Sequence, residues 1–598
     1  MTPALRNWRL IAIIGALSVT VFALGSVVYA PHDEYVRLLY LVVPAFVWVA
    51  FIASLLAGLW LVYLGAQGNH RAWRYGIVLL VCSYLVFWFF PTIAGLRFWS
   101  APRGDLLGHF GKVKAILATG ENPSGNMYPG LHWLLATLAS VSGLRLGLLQ
   151  PTVTAVYYTA FIMGVYAFSK LLFGTRVARY TVFAAAPLVY SKYVHSIMPW
   201  FASFALVPLV LVLAERERTG AATDRVPVLL AGIVLSVSIV FIHPMTSLVV
   251  VGTFGVGVLA VQAVEVRTGT RIRRPPLEWG AILLLPHFAW YMAQLGFQRR
   301  LSTAIVGVVT AEPGASSKAA RAGETSYTIA QLFWRFIVLD YGVALIYPGL
   351  GLLVAMYIAY RYRRGAASER ETILVGLYLF GVGIAVAMVL FGLIISNLYR
   401  MNQVTLLASI VLIGLGLYWL EQSTQRPVLR ALARGVLVFG VVGASVLAPF
   451  MIYDEQRHVV DTEMAGAEFH VTHQNGEFQT RSFAMSHQLT MFVVGDHKSP
   501  NYRRWAFRRH DPTYQLPRRL ATESGSVGSL FDSRGYMITK TRDTVWYRNQ
   551  PTNRWPSLLY ITEDDLRRVR ADETAARTYS NGEFTIWYVT NRSARVGL

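Results

Sequence analysis

The stretch Pro102–Trp133, PRGDLLGHFGKVKAILATGENPSGNMYPGLHW, is the longest polar interruption among the early apolar segments, and an apolar run continues from it to Gly143. How it is read decides how many times the chain crosses a membrane. Asp105 and His109 are four residues apart and Lys112 three further on, so a helix here presents all three on one face. Gly120, Pro123, Gly125 and Asn126 end that helix, and Tyr128-Pro129-Gly130 opens a second one that carries His132 and Trp133. The unit is helix, loop, helix. Its tail, Tyr128–Gly143, is apolar but short of the roughly 20 residues of a crossing, and is expected in the membrane interface or packed under the loop.

Outward from this unit, the 598 residues are 55% hydrophobic and only 14% charged, too apolar for a soluble protein of this size. Apolar runs mark about thirteen spans: Leu10–Ala30, Leu38–Leu64, Tyr75–Leu96, Leu149–Phe173, Tyr180–Val194, Pro199–Ala214, Val226–Ile242, Met245–Val264, Leu277–Leu295, Val338–Tyr357, Thr372–Ile395, Val404–Leu420 and Gly435–Met451. Met1–Ala30 reads as an uncleaved first span rather than a removed signal peptide. The single cysteine, Cys82, falls within a span and builds neither a disulfide framework nor a thiolate metal site.

Charge settles the topology. If Tyr128–Gly143 does not cross, Arg6 and Arg9, Arg71 and Arg74, Lys170 with Arg176 and Arg179, Arg216 and Arg218, the Arg267–Arg274 cluster, Arg361–Arg364, and Arg426 with Arg430 all fall on one side, the cytoplasmic one. If it does cross, every later basic loop changes side. The net charge of +22 therefore belongs to membrane orientation rather than to nucleic acid. The amino terminus is expected inside and the carboxyl terminus outside. The first large external loop, 97–148, then shares the outer face with residues 32–37, 191–195, His243-Pro244, 298–327, 397–403 and everything after Met451.

Residues 1–453 form a transmembrane domain, and residues 454–598, richer in charge and turns, form an extracytoplasmic α+β domain. Gln488–Val494, Thr544–Arg548 and Glu583–Val589 read as strands, and Thr562–Ala576 as a helix with Thr562 as its N-cap. Ser580-Asn581-Gly582 reads as a turn into the final strand.

Asp105, just beyond a span, is placed to act as a general base on an acceptor hydroxyl or to hold a divalent cation, Mg or Mn, together with His109. It is equally placed to pair with Arg97, Arg103 or His109 at the interface. Asp33-Glu34 is a second acidic candidate, with Arg37 as an easy partner, and Glu312 a third. Arg400 breaks the tendency of arginine to sit inside, and either grips a phosphate in a bidentate fork or snorkels to lipid headgroups. Arg299 and Arg300 extend that argument, and Lys112, Tyr128, His132 and His243 complete the substrate-binding candidates. His243 and His287 lie at or within spans, where titratable groups more often face a cavity than lipid. No Walker loop, HExxH or GxSxG in context supports an ATPase, zincin or α/β-hydrolase.

The segment RGDLLGHFGKVKAILATGENPSGNMYPGLHWL resembles the first large external loop of prokaryotic, particularly archaeal, GT-C glycosyltransferases. In these an acidic residue near a histidine precedes a helix, a Gly-x-x-Pro turn, and a Tyr-Pro that begins the next helix. The basic connection Phe173-Gly174-Thr175-Arg176 and the segment Arg577–Phe584 are similar to parts of such proteins. The resemblance implies a polytopic fold and an inverting sugar transfer from a polyprenyl-(dolichyl-)phosphate donor to a glycan, lipid or protein acceptor on the outer face. By it Asp105 is the catalytic carboxylate, with His109 orienting it or joining it on a metal, although the family also tends to place an acid where this chain has Asp33-Glu34. The rival readings are a transporter or flippase for a lipid-linked or anionic solute, which needs Arg400 but not Asp105, and a membrane scaffold that needs neither.

Overall fold

The computed structural model describes residues 7–29, 35–36, 39–94, 105–123, 125–186, 198–220, 225–269, 278–294, 298, 302, 330, 338, 340–390, 403–423, 427–452, 458–482, 487–498, 526–541 and 563–591. Over the described residues the longer elements of the membrane part are all helices: α1 (Trp8–Val28), α2 (Ala45–Ala66), α3 (His70–Ile93), α4 (Asp105–Thr119), α5 (Pro129–Ser142), α6 (Leu146–Phe173), α7 (Thr175–Ala185), α8 (Pro199–Thr219), α9 (Arg225–Ile242), α10 (Pro244–Thr268), α11 (Glu278–Tyr291), α12 (Asp340–Arg363), α13 (Glu369–Leu390), α14 (Gln403–Gln422) and α15 (Pro427–Ile452). Among the described residues 11 helices are long and apolar enough to cross a membrane. This is a multi-pass membrane protein. Two expected spans are shorter over the described residues, α7 with 11 and α11 with 14, and α5 also has 14.

Lipid-soluble helices gain little from burying apolar surface against one another, so close packing through small residues takes over. At Gly76 of α3 a Cβ would lie 2.7 Å from the backbone nitrogen of Val62 in α2, so only glycine permits this approach. The most enclosed span is α14, with 83% of its apolar window buried against α7, α12 and α13.

The connections between helices sort onto two ends. At one end Arg176 pairs with Glu421 at 2.9 Å, Arg179 reaches His70 and the Gly65 carbonyl, Arg434 meets the Tyr63 hydroxyl, Arg218 bridges Glu215 and Glu369, and Arg361 pairs with Glu371. These are the loops that the charge pattern groups together. At the other end Val36 donates its N–H to Nε2 of His458, whose ring stacks on Tyr35. The helix pair α4–α5 lies at this same end, beside the carboxyl-terminal domain.

That domain contains α16 (Asp461–His473), β1 (Gln479–Ser482), α17 (His487–Val494), β2 (Arg534–Lys540), α18 (Glu563–Ala571), β3 (Ala575–Ser580) and β4 (Phe584–Thr590). The sheet order is β1-β2-β4-β3, with β1 parallel to β2 and the other pairs antiparallel. Alternation along the strands gives the sheet two covered faces. Ile538, Phe584 and Ile586 face α16 and join the main core, whereas Met537, Trp587 and Val589 pack with Val569 of α18.

The expected strand over Gln488–Val494 is a helix. Its β-branched and aromatic residues favour a strand locally, but Leu489 and Phe492, one helical turn apart, are both buried in a seam against α4, and packing overrides propensity. The helix expected to reach Ala576 stops at Ala571 because the Asp572 carboxylate accepts from the Thr574 and Val527 N–H groups, turning the chain into β3. The turn before β4 is as expected: Gly582 has φ 93° and the Asn581 side chain accepts from the Phe584 N–H. Thr544–Arg548 and Thr562 lie outside the described residues.

Candidate functional site

The site grows from the loop between α4 and α5. Gly120 and Gly125 both take φ 70°, a left-handed backbone that suits glycine, and fold the loop so that Asn126 turns inward, 1% exposed. One oxygen of that side chain ties the loop to α5. Asn126 Oδ1 accepts the Tyr128 N–H at 3.2 Å and hydrogen-bonds Nδ1 of His132 at 2.7 Å, while Nδ2 donates to Asn122 at 2.7 Å. A backbone N–H can only donate, so the atom facing Tyr128 is the oxygen, and His132 Nδ1 must carry a proton.

His132 is wholly buried. Burial pushes its pKa well below the usual histidine range, and the nearby charges of His109 and Lys112 push the same way. A neutral ring protonated at Nδ1 has only a lone pair at Nε2. His109 Nδ1, 2.8 Å from that Nε2, is therefore the donor. The relay Asn126–His132–His109 leaves Nε2 as the ring nitrogen of His109 that is not engaged with His132. Since α4 places Asp105 one turn before His109, this residue belongs to the helix face that starts with the acid.

Two further sequence candidates join the relay. Tyr128 stands edge-on to the His109 ring, centroids 5.9 Å apart, and stacks on His243 at 5.9 Å with 16° between the planes. His243, buried, caps α10 by accepting the Thr246 N–H at 3.3 Å through Nδ1. Behind it, His287 hydrogen-bonds Ser247 at 2.9 Å. The structure thus assembles His109, Tyr128, His132 and His243 into one cluster, with Lys112 near enough to act on His132 electrostatically. Asp105 opens α4, but its side chain lies outside the described residues, as do Arg299, Arg300, Arg400, Glu312 and the pair Asp33-Glu34. By sequence Asn126 reads only as a helix breaker. Its one signal is an amide, rather than a further glycine, between Gly125 and the Tyr-Pro helix start.

The carboxyl-terminal domain clamps the other side of α4. A Cβ on Gly111 would lie 2.6 Å from the Met491 carbonyl oxygen, so α17 touches α4 backbone to backbone, and Asp496 donates its N–H to the Gly111 carbonyl at 3.0 Å. Phe110 meets Phe492 edge-on, and Lys114 places its ammonium 4.3 Å from the Phe492 ring centre. Burial lowers the Lys114 pKa, against the opposing charge of Glu468.

Beside the relay, a cavity of 570 Å3 opens among Asn122, Pro129, Trp133, Tyr157, Leu235, Phe241 and Trp290. Its walls are apolar except near Asn122 and Ser238, so it suits a hydrocarbon chain with a polar end at the loop.

Fold and site together define a multi-pass membrane protein with a buried polar relay at one end, held under a small α+β domain. No known family model matches the sequence, and no curated protein does. Among solved structures it is similar to the archaeal oligosaccharyltransferase AglB from Archaeoglobus fulgidus in complex with an inhibitory peptide and a dolichol-phosphate, with TM-score 0.47, 11% identity, and 87% of this chain and 75% of that one covered. The same oligosaccharyltransferase in complex with Zn and sulfate gives TM-score 0.46 at 11% identity, over 86% of this chain and 73% of that one. ArnT from Cupriavidus metallidurans bound to undecaprenyl phosphate gives TM-score 0.45 at 14% identity, over 86% of this chain and 97% of that one. Likenesses of this degree carry no argument about activity, which has to come from the chain's own residues.

Proposed function

We propose that this protein is a membrane glycosyltransferase that moves a sugar from a polyprenyl-phosphate-linked donor, of the dolichyl type, to a glycan, lipid or protein acceptor at the extracytoplasmic face, with inversion. The observation that carries this reading is the tautomer-locked relay at the start of α4, next to an apolar cavity. An inverting transfer needs a base that takes the acceptor proton, and a cationic partner for the phosphate that leaves from the opposite side of the sugar. Asp105 is the base. His109, with its Nδ1 proton committed to His132, presents Nε2 on the same helix face to orient the Asp105 carboxylate or the acceptor. Arg400, assisted by Arg299, Arg300 and Lys112, holds the phosphate, and the 570 Å3 cavity takes the first units of the prenyl chain. Tyr128 and His243 form the aromatic wall.

Among the described residues no three His, Cys, Asp or Glu side chains converge. A divalent cation, Mg or Mn, would take His109 Nε2 and Asp105 together with groups outside the described residues, and would supply charge for the leaving phosphate. The roles of Asp105, His109 and Arg400 do not depend on it.

The placement also requires orientation. The amino terminus is cytoplasmic and the carboxyl-terminal domain extracytoplasmic, because the basic connections gather at the end opposite α4–α5. Labelled sugar transfer by purified protein in liposomes, from a panel of polyprenyl-phosphate sugars, tests the reading. Asp105→Asn is expected to abolish turnover while keeping donor binding, and Arg400→Ala to weaken donor binding. The apolar cavity alone would serve a flippase equally well. Full donor translocation without transfer, insensitive to Asp105→Asn, favours that rival.

A further inference from the structure

A second cavity, of 380 Å3, lies in the carboxyl-terminal domain between α18 and the sheet. That volume is at the small end of ligand pockets, about 300–1,000 Å3. Register explains why it is polar. Thr539 pairs with Thr585 and Met537 with Trp587 across β2 and β4, so these side chains share the face that α18 covers, and Thr541, just past β2, lines the same cavity while donating its hydroxyl to the Gly582 carbonyl at 2.8 Å. Leu566 and Val569 seal the helix onto Met537 and Trp587. Past that seal the floor is three threonine hydroxyls and the edge of Trp587, whose indole N–H donates to Thr539 at 3.0 Å. Glu563, Arg567 and Arg570, at one-turn spacings along α18, form the wall.

The charges in this cavity are unequal. Lys540 contributes little, since its ammonium is buried on the opposite face against Glu463, 2.5 Å away. Arg567 is shared with Asp564. Arg570 has no carboxylate within ion-pair distance among the described residues, yet it lines a cavity of hydroxyls. A guanidinium left in this position is a fork for a planar carboxylate. Glu563 on the same wall disfavours a dianionic phosphate and accepts hydrogen bonds from ligand hydroxyls instead.

We propose that this cavity binds a carboxylate-bearing sugar, a hexuronic acid residue of an acidic glycan, with Arg570 gripping the carboxylate and Thr539, Thr541, Thr585 and Glu563 reading the hydroxyls. The site stands apart from the α4–α5 relay and holds whether or not the protein transfers sugars. Calorimetric titration of the full-length protein in detergent with trigalacturonate, maltotriose, a tri-glutamate peptide and inorganic phosphate tests it. Trigalacturonate is expected to bind at least about tenfold more tightly than the other three, roughly 1.4 kcal/mol. Arg570→Gln removes that preference, Arg570→Lys restores part of it, and neither moves the thermal unfolding midpoint, because Arg570 is exposed. Thr585→Val weakens trigalacturonate without creating a preference for the neutral sugar. The proposal is overturned by absence of trigalacturonate binding, by equal binding of maltotriose or of the peptide, by tighter binding of phosphate, or by an Arg570→Gln variant that binds as the wild type does.

Discussion

At the scale of single residues, Asn126 bears more of the site than any of the histidines it serves. Its Oδ1 satisfies one half-buried main-chain donor and fixes the proton on the buried His132. Asn126→Leu leaves the Tyr128 N–H and His132 Nδ1–H without an acceptor, at about 1–3 kcal/mol each. Calorimetric unfolding is expected to show a clear drop for Asn126→Leu and a small one for Asn122→Ala, since Asn122 is exposed. An unchanged midpoint in Asn126→Leu would contradict the relay. His470 gives a pH signature in the other domain. It is buried, its Nε2 is 3.1 Å from the Thr480 hydroxyl, and burial lowers its pKa to about 4. The folded form therefore stays neutral while the unfolded form takes up a proton below about 6.5. Stability is fully present above that value and declines as pH falls toward about 4, by up to about 3 kcal/mol. His470→Gln, which keeps a polar group near Thr480, is expected to flatten that decline in a pH series of unfolding midpoints.

At the scale of elements, the contact that matters is α4 on α17. Gly111 lets the two backbones touch, and any Cβ there meets the Met491 carbonyl. Gly111→Val is expected to cost about 1–3 kcal/mol of overpacking. It also shifts the His109 face of α4, so transfer falls together with stability, whereas Gly120→Asn, at a loop position with no neighbour within 4 Å and a backbone that asparagine tolerates, leaves both near wild type. Sequence alone reveals α4 and α5 because their punctuation is local: Asp105, Gly120, Pro123, Tyr128 and Pro129 each act through the backbone of their own turn. It misses α17, whose residues carry strand propensity and become helical only against Phe110, far away in the chain. It likewise marks His109 and His132 as candidates but not their bond, because the 2.8 Å contact depends on how the loop folds back. Asn126 is hidden for the same reason, an asparagine after glycine being the ordinary sign of a turn.

At the scale of the whole molecule, hydrophobic run length locates each of the 11 described helices long and apolar enough to cross, because a bilayer imposes one length on all of them. It is least informative where the described helix is short, at α7 and α11. The sorting of connections onto two ends matches the charge pattern, since Arg176, Arg179, Arg218, Arg361 and Arg434 all make contacts at the end away from the relay. Cysteines introduced singly into a Cys82→Ser background test the orientation. A cysteine at Asn475 is expected to react with an impermeant maleimide added outside whole cells, and one at Gly220 only after permeabilisation. The reverse pattern would invert the topology.

The proposed glycosyl-transfer site rests on α4 and α5. The most direct measurement is transfer of a labelled sugar from polyprenyl-phosphate donors by the purified protein in liposomes, with wild type, Asp105→Asn and His109→Ala compared at equal folded amount. Turnover by the wild type, loss of turnover with retained donor binding in Asp105→Asn, and a fall of about 10²-fold or more in His109→Ala are expected. Wild-type turnover that persists undiminished in both variants would contradict the claim.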